Sequence, residues 1–291
     1  MKELSNNLTH VTVRLECITY NNQISVGTSF LFLFNGDNDN ERIPVLVTNK
    51  HVVKNANIGK FILTNADELG NPIYRDLIPF TIEENFQDLW IEHPDPNVDL
   101  CIMPIGTILN DCINHLGKNV SIKGFSENEL INQDEINNLN SFEELFMVGY
   151  PNGLWDEINN QPIVRRGITA TDPKLDYNGK KEFLIDAACF PGSSGSPIFQ
   201  YTEGAKSDIH GITFYPGGYL KLLGVLYAGP MFGIDGNIQI KEIPTSTIPI
   251  AHSRIPMNLG LVIKIEKLLE MKKILMKEII RPMTNNYHEE D

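Results

Sequence analysis

The sequence predicts an all-β protein made of two antiparallel β-barrels followed by a C-terminal amphipathic α-helix. Short apolar runs with a two-residue period recur along most of its 291 residues, and turns rich in Asn, Gly and Pro separate them. A polar stretch near the middle of the chain divides these runs into two groups. After residue 262 the period changes to that of an amphipathic helix.

The N-terminal barrel is assigned to residues 1–125. Its first strand, residues 11–17, alternates apolar with polar side chains, which is typical of a strand with one buried face. The other predicted strands are short and lie at residues 25–34, 43–53, 61–63, 73–80 and 89–92. The strand at residues 43–53 is expected to carry His51 near its end.

Residues 126–144 form the predicted connection between the two barrels. This stretch is polar, has few β-branched residues, and contains Ser126 and Glu129 at the spacing of a helix capping box. Alternating runs resume in the C-terminal barrel, which is assigned to residues 145–262. Its predicted strands lie at residues 145–149, 163–169, 182–188, 198–201 and 222–228.

The C-terminal helix is predicted over residues 263–281, and residues 282–291 are expected to form a disordered tail. The apolar face of the helix comprises Ile265, Leu268, Leu269, Leu275, Ile279 and Ile280. We expect this face to pack on the second barrel. Because residues 264–281 also carry six basic and three acidic side chains, docking of a partner protein is the alternative role.

Charge and hydropathy exclude two classes of partner. The formal net charge is -13, whereas nucleic-acid phosphates require a basic surface, so no nucleic-acid partner is expected. The sequence contains no run of 18 apolar residues, and residues 1–10 lack a stretch of signal-peptide length. We therefore expect no membrane partner and a cytoplasmic location. Unconventional secretion, or earlier removal of a leader, would leave the same sequence.

The cysteines are predicted to be buried thiols. None of the four has C-x-x-C spacing, and most lie inside apolar runs; they are Cys17, Cys101, Cys112 and Cys189. This pattern is typical neither of zinc ligands nor of a disulfide framework. No metal site and no cofactor are expected.

A serine between two glycines is the first candidate for chemistry. Residues 191–197 (PGSSGSP) follow an apolar run that ends at Phe190. Glycines beside Ser194 let the backbone approach a substrate closely, and their N–H groups can stabilise a developing oxyanion. Taken alone, such a cluster is also typical of a solvated turn.

A base and an orienting carboxylate lie upstream of that serine. His51 ends one predicted strand, and Asp99 begins another 48 positions later. Ser194 follows Asp99 by 95 positions, which gives the chain order His, Asp, Ser. A serine nucleophile needs an imidazole held in one tautomer by a carboxylate. Asp95 is a rival for that carboxylate, but Asp99 is preferred because Asp95 lies between two prolines.

These motifs together resemble those of the trypsin-like, chymotrypsin-fold serine peptidases, and within them the HtrA-like branch. The similarity extends from about residue 11 to about residue 263 in the same order. The matching segments are residues 27–30 (GTSF), 48–53 (TNKHVV), 98–100 (VDL), 148–154 (VGYPNGL), 166–170 (RGITA) and 192–197 (GSSGSP). Ser196 departs from the family pattern, which has glycine there. An α/β-hydrolase elbow would also need glycine at this position and orders its triad Ser, Asp, His.

The resemblance implies a fold, a mechanism and site residues. It implies that Ser194 is the nucleophile, His51 the general base and Asp99 the residue that orients His51. The backbone N–H groups of Gly192 and Ser194 would form the oxyanion hole, and protein or peptide would be the substrate. A serine endopeptidase is the first hypothesis. A gated or inactive peptide-binding module and a small-ester hydrolase are the alternatives.

The resemblance also suggests substrate preference. The residue six positions before the nucleophile, Ala188, would lie at the base of the primary pocket. The strand containing Leu226, Tyr227 and Ala228 would form one wall. A small apolar base does not favour a basic side chain, so small or medium apolar P1 residues are expected.

Regulation is expected to differ from that of relatives. Secreted zymogens have an aspartate before the nucleophile that pairs with a newly cut N-terminus, whereas this chain has Ser193. We expect no activation by N-terminal cleavage. We also expect no PDZ domain, because only residues 282–291 follow the predicted helix. Restraint of a cytoplasmic peptidase would then require a regulatory protein partner or a narrow specificity.

Overall fold

The computed structural model describes residues 7–38, 41–208, 211–229, 231–237 and 250–285. It confirms an all-β chymotrypsin-like architecture with two main β units and a C-terminal helix. The site described below lies where these two units meet. None of the helices in the described ranges has the length and apolar character that crossing a bilayer requires.

The N-terminal unit is a nine-stranded sheet. Its strands are β1 (Thr12–Thr19), β2 (Ile24–Asn35), β3 (Arg42–Thr48), β4 (Ala56–Ala66), β5 (Pro72–Ile82), β6 (Ile91–Glu92), β7 (Cys101–Pro104), β8 (Asn119–Val120) and β9 (Phe125–Ser126). The main path is β5-β4-β1-β2-β3-β7-β6, with β8 beside β4 and β9 beside β2. The β2–β9 pair is parallel, whereas the pairs along the main path are antiparallel.

The C-terminal unit is a closed six-stranded barrel in the order β10-β11-β12-β17-β14-β13. Its strands are β10 (Glu144–Gly149), β11 (Ile163–Thr169), β12 (Glu182–Asp186), β13 (Pro197–Asp208), β14 (Gly211–Ala228) and β17 (Leu259–Lys264). Closure leaves no unpaired sheet edge within the barrel. A separate two-stranded ribbon joins β15 (Met231–Asn237) to β16 (Ile250–Pro256).

The sequence-based prediction of a strand over residues 43–53 is wrong at its end. Strand β3 stops at Thr48, and a short helix, α1, spans Lys50–Val53. The apolar run in the sequence continues to Val53 because Val52 and Val53 are buried, but they belong to this helix and not to the strand. Gly27 of β2 permits this packing, since a Cβ there would lie 2.4 Å from a methyl group of Val52.

A second helix, α2, spans Gly106–Leu116 and is absent from the sequence-based prediction. It ends at Gly117, whose φ of 62° is the left-handed conformation that commonly stops a helix. The N–H of Gly117 bonds to the carbonyl of Cys112, which satisfies one of the final helical acceptors.

The connection between the two units contains the capping box that the sequence predicts. The Ser126 hydroxyl accepts from the Asn128 N–H, and the Glu129 carboxylate accepts from the Ser126 N–H at 2.8 Å. This box starts a 3-10 turn over Glu127–Glu129, and helix α3 follows over Gln133–Asn137. The stretch is therefore partly helical.

One hydrophobic core runs through both units and under the C-terminal helix. Aromatic contacts cross the boundary between the units. The ring centroids of Phe125 and Phe199 are 5.5 Å apart, and the ring of Phe199 stacks on that of Phe146. A second, smaller core lies within the N-terminal unit. Burial of this area on both sides of the boundary is the main attractive contribution that holds the units together.

The C-terminal helix, α4, spans Glu266–Asn285. It starts later than predicted and continues through residues 282–285, which the sequence analysis assigns to a disordered tail; residues 286–291 lie outside the described residues. The buried positions of the helix include Leu268, Met271 and Leu275, and Ile265 just before it is also buried, whereas Leu269 is 40% exposed. Leu268, Met271 and Leu275 follow one another at spacings of three and four residues and so share one face of the helix. The predicted face also included Ile279 and Ile280, whose side chains are outside the described set.

Candidate active site

His51 lies in helix α1 at the edge of the N-terminal unit. The residue before α1, Asn49, is fully buried, and its side-chain amide donates to the backbone carbonyl of Asp99 at 2.7 Å. This bond joins the start of the His51 helix to the Asp99 loop. Two segments that are distant in sequence are thus held at a fixed separation.

His51 and Asp99 form a two-point contact. The His51 Nδ1 lies 2.5 Å from Asp99 Oδ2, and the His51 backbone N–H donates to Asp99 Oδ1 at 3.0 Å. A carboxylate that accepts from Nδ1 fixes the tautomer with the proton on that atom. Nε2 is then free to act as a base. The imidazole is 47% exposed, so a substrate can reach it.

Asp95 does not contact His51. Its carboxylate accepts from the backbone N–H and the side-chain amide of Asn97, at 2.9 Å and 3.1 Å. These hydrogen bonds, the backbone one foremost, lower the pKa of Asp95. Its side chain therefore stabilises the turn that leads to Asp99.

Ser194 lies in the loop between β12 and β13, and its hydroxyl donates to the Tyr227 carbonyl at 3.3 Å. The hydrogen bonds among the described residues include none between His51 and Ser194. Catalytic hydrogen bonds are often long or misaligned in a protein without substrate. The backbone around the serine, by contrast, is fixed.

Four successive carbonyls of the serine loop have donors from other parts of the chain or from the loop itself. The Pro191 carbonyl accepts from the Asn152 N–H at 2.6 Å, and the Ser193 carbonyl accepts from the Ser196 N–H at 3.0 Å. Thr28 supplies the other two donors. Its hydroxyl bonds to the Gly192 carbonyl at 2.8 Å, and its N–H bonds to the Ser194 carbonyl at 2.9 Å.

These bonds orient the N–H groups of Gly192 and Ser194. In a trans peptide the carbonyl and the following N–H point in opposite directions, so fixing the Pro191 and Ser193 carbonyls fixes both N–H groups. Among the described residues, neither N–H has an acceptor. Two oriented, unpaired donors beside a serine are the arrangement that stabilises an oxyanion.

Gly195 is required by both its conformation and its surroundings. Its φ is 88°, and a Cβ would lie 1.9 Å from the carbonyl oxygen of Thr28. Ser196, the departure from the family pattern, is fully buried against Gly149. A Cβ at Gly149 would lie 2.1 Å from the Ser196 hydroxyl oxygen. The added serine side chain thus occupies space that this glycine leaves open.

The residues assigned to the primary pocket differ in accessibility. Ala188 is half-buried, and its carbonyl accepts from the guanidinium of Arg165. Leu226 is buried in the barrel core, with its N–H and carbonyl bonded to Ser196 and Gly195. Its side chain therefore supports the wall from behind. Tyr227 and Ala228 are half-buried next to it.

The phenol of Tyr227 is hydrogen-bonded to Glu182. Burial raises the pKa of its phenol, and the buried carboxylate of Glu182, to which it is hydrogen-bonded, raises it further. The charge of Asp99 acts in the same direction. Tyr227 therefore stays a neutral donor to Glu182, which lies at the start of β12, and its phenol is close enough to Asp99 to be affected by that charge.

The prediction of buried thiols is confirmed, because all four cysteines are free and buried. Cys189 lies within the serine loop region, and burial raises its pKa to about 11. A thiol with that pKa is protonated near neutral pH and is a poor nucleophile. Burial thus disfavours Cys189 as a nucleophile of this loop.

Sequence reasoning missed the residues that hold the serine loop. Thr28 and Asn152 lie in segments that the motif comparison identifies, but no role was assigned to either. Asn152 has a φ of 52°, and Asn tolerates this left-handed conformation better than most residues. An isolated Asn-Gly pair after Pro151 was the available signal for such a turn.

The fold and site define a class: a chymotrypsin-like protein with a histidine–aspartate pair and a serine loop at the boundary of two β units. Comparison with family sequence models gives the family. Residues 27–205 match the trypsin-like peptidase domain. The chain therefore belongs to the family of trypsin-like peptidases.

Similar solved structures include an HtrA-type protease, AlgW, with a tripeptide. That similarity has a TM-score of 0.48 and 15% identity, and it covers 94% of this chain and 64% of AlgW. The Mycobacterium tuberculosis protease Rv3671c in its active form gives a TM-score of 0.41 at 13% identity, covering 93% of this chain and 85% of that one. The inactive form of Rv3671c, a serine-to-alanine mutant, gives a TM-score of 0.41 at 15% identity, and the similarity covers 93% of this chain and 91% of that one. A search of curated proteins found no match.

Proposed function

We propose that this chain is a serine endopeptidase that hydrolyses peptide bonds through an acyl-enzyme. The observation that carries the proposal is the His51–Asp99 contact beside a serine loop in which the carbonyls of residues 191–194 all have hydrogen-bond donors. This arrangement supplies an oriented base and oriented oxyanion donors around one hydroxyl.

The proposed reaction has two halves. Ser194 Oγ attacks the peptide carbonyl while His51 Nε2 takes the hydroxyl proton, and the N–H groups of Gly192 and Ser194 stabilise the oxyanion. The intermediate expels the amine, which receives that proton from His51. Water, activated by His51, then attacks the acyl-enzyme and releases the acid. Asp99 stabilises the imidazolium in both halves.

The Ser194 hydroxyl must change its hydrogen-bond partner before the first step. It donates to the Tyr227 carbonyl, and the proposed reaction requires it to donate to His51 Nε2 instead. The same Tyr227 bond favours the second hypothesis, a gated peptide-binding module, because it gives the Ser194 hydroxyl an acceptor other than His51. A small-ester hydrolase would use the same triad on weaker substrates.

A combined substrate and probe experiment separates these hypotheses. The purified protein and His51→Ala are incubated with a fluorophosphonate probe, a peptide library and a simple ester. We expect labelling of the parent alone, with cleavage after small or medium apolar residues, because the family resemblance assigns the small, apolar Ala188 to the base of the primary pocket. Ester cleavage without peptide cleavage would favour the esterase, and an unlabelled, folded parent would favour the gated module. A profile dominated by Lys or Arg would contradict the pocket assignment.

A second expectation concerns activation. Ser193 is 1% exposed, and its hydroxyl has no hydrogen-bond partner among the described residues. A neutral side chain offers no counter-ion to a new N-terminus, so intact protein and protein trimmed at its N-terminus should show equal kcat/KM. A strict requirement for trimming would reject this mode of regulation.

The remaining parts of the proposal concern setting and partners. The HtrA-like motifs suggest denatured protein or peptide as substrate, and four free thiols suit a reducing, cytoplasmic location. Restraint would come from a regulatory protein partner or from narrow specificity. Cell fractionation followed by probe labelling would check the location, and recovery of activity only in an oxidising compartment would contradict it.

A further inference from the structure

A buried histidine outside the triad joins the C-terminal helix to the loop that carries Asp99. The side chain of His93 is 1% exposed, and it contacts Glu270 of helix α4. The proposed mechanism gives this histidine no role. It is a titratable ring in the loop that leads to Asp99.

The hydrogen bonds of His93 define its tautomer. The Asp95 backbone N–H donates to Nδ1 at 3.1 Å, so Nδ1 is an acceptor. The proton then resides on Nε2, which lies 3.2 Å from Glu270 Oε2. His93 is therefore neutral in this arrangement. Burial lowers the pKa of His93, although the charge of Glu270 opposes that change.

The backbone around His93 is bonded directly to neighbours of the triad. The His93 N–H donates to the carbonyl of Leu100, the residue after Asp99, at 2.9 Å. Lys50, the residue before His51, donates from Nζ to the carbonyls of His93 and Asp95 at 2.7 Å and 3.0 Å. A displacement of His93 would therefore be transmitted to both members of the His51–Asp99 pair.

Glu270 is held on the helix side of this contact. Its other oxygen accepts from Lys267 Nζ at 2.8 Å, one turn earlier in α4. The charged and titratable groups that face His93 are Glu270 and Lys267 of α4, Lys50 of α1, and Asp95 of its own loop. The two lysines disfavour protonation of His93, whereas Glu270 favours it.

We propose that Glu270 is a positioning residue for the triad, which it orients through neutral His93, and that protonation of His93 releases the Asp99 loop. This inference rests on the proposed peptidase function. A protonated imidazole donates from both nitrogens. Its Nδ1–H would oppose the Asp95 N–H, so the loop bond would be lost and the His51–Asp99 geometry would change.

Variants of the helix residue test the positioning role. Glu270→Ala should lower kcat by up to about a hundredfold with little change in KM, because misplacing a catalytic group slows the chemical step. Glu270→Gln keeps an oxygen that can accept from Nε2, so it should retain nearly parental kcat at neutral pH. Lys273→Ala, an exposed position of the same helix with no partner among the described contacts, is the matched control. Equal kcat in parent and Glu270→Ala would overturn the positioning role.

The pH profile separates this role from simple packing. In the parent, log kcat/KM should fall on the acid side, and protonation of His93 should contribute to that fall. His93→Asn can still accept from the Asp95 N–H but cannot titrate, so its acid limb should be less steep than that of the parent. In Glu270→Gln the contribution of His93 should move to lower pH, because the charge that favours protonation is gone. Unchanged acid limbs in both variants would refute the switch.

Failure of this inference can be told apart from failure of the proposed function. The parent and every variant are labelled with the fluorophosphonate probe and melted in parallel. An unlabelled parent rejects the peptidase function itself. A labelled, active parent whose folded Glu270 and His93 variants match it in kcat and pH profile rejects the inference alone. If Glu270→Ala unfolds, the Glu270→Gln profile decides.

Discussion

Ser194→Ala is expected to abolish turnover, with kcat falling about a millionfold. Loss of the nucleophile in a related triad enzyme has an effect of that size. The alanine cannot form the acyl-enzyme, while the fixed N–H groups of Gly192 and position 194 still bind the carbonyl oxygen. KM or inhibitor affinity should therefore change far less than kcat. Steady-state kinetics on an optimised peptide, with probe labelling as a second readout, would measure both.

The adjacent serine gives a matched control for that variant. Ser193→Ala removes a buried hydroxyl that has no partner among the described residues, so it breaks no hydrogen bond and should change kcat less than about tenfold. Both substitutions remove one oxygen from the same loop. If the two variants lost equal activity, the assignment of Ser194 as nucleophile would have to be abandoned.

Asp99→Asn should have the second largest effect, with kcat falling about ten-thousandfold, as the equivalent change does in a related enzyme. The asparagine has nearly the same shape but can present an N–H to His51 Nδ1. The imidazole would then carry its proton on Nε2, where the mechanism needs a lone pair. The fold should persist, so the melting temperature should stay near that of the parent.

Asp95→Asn is the control for the triad aspartate. Among the described hydrogen bonds, the Asp95 carboxylate accepts from Asn97 alone, and an asparagine can keep one such acceptor. We expect its kcat to stay within about tenfold of the parent, because the substitution keeps the backbone hydrogen bonds of Asp95 to Lys50 and His93. A larger loss in Asp95→Asn than in Asp99→Asn would reverse the assignment that both the sequence and the geometry favour.

Restraint of such a peptidase would depend on small movements around the triad. The Ser194 hydroxyl donates to the Tyr227 carbonyl, and the His93–Glu270 contact connects the Asp99 loop to helix α4. Each contact involves one or two hydrogen bonds, so a substrate or a partner could shift it at modest cost. Both contacts are accessible to the variants described above.

The sequence was sufficient to predict the elements whose signals are local. Two-residue alternation predicted most strands, and the spacing of Ser126 and Glu129 predicted a capping box that the structure contains. Motif order was sufficient to propose His51, Asp99 and Ser194 together. The same local reasoning failed after Thr48, because buried Val52 and Val53 fit a strand or a short helix equally well.

Tertiary structure alone decided how the serine loop and the Asp99 loop are held. The donors from Thr28 and Asn152 reach carbonyls more than 35 residues away in the chain, and Glu270 reaches His93 across 177 positions. Such pairs leave no periodic pattern in a single sequence. They depend on which backbone groups remain unpaired after the sheets form, and that is set by the packing of the two β units and the C-terminal helix.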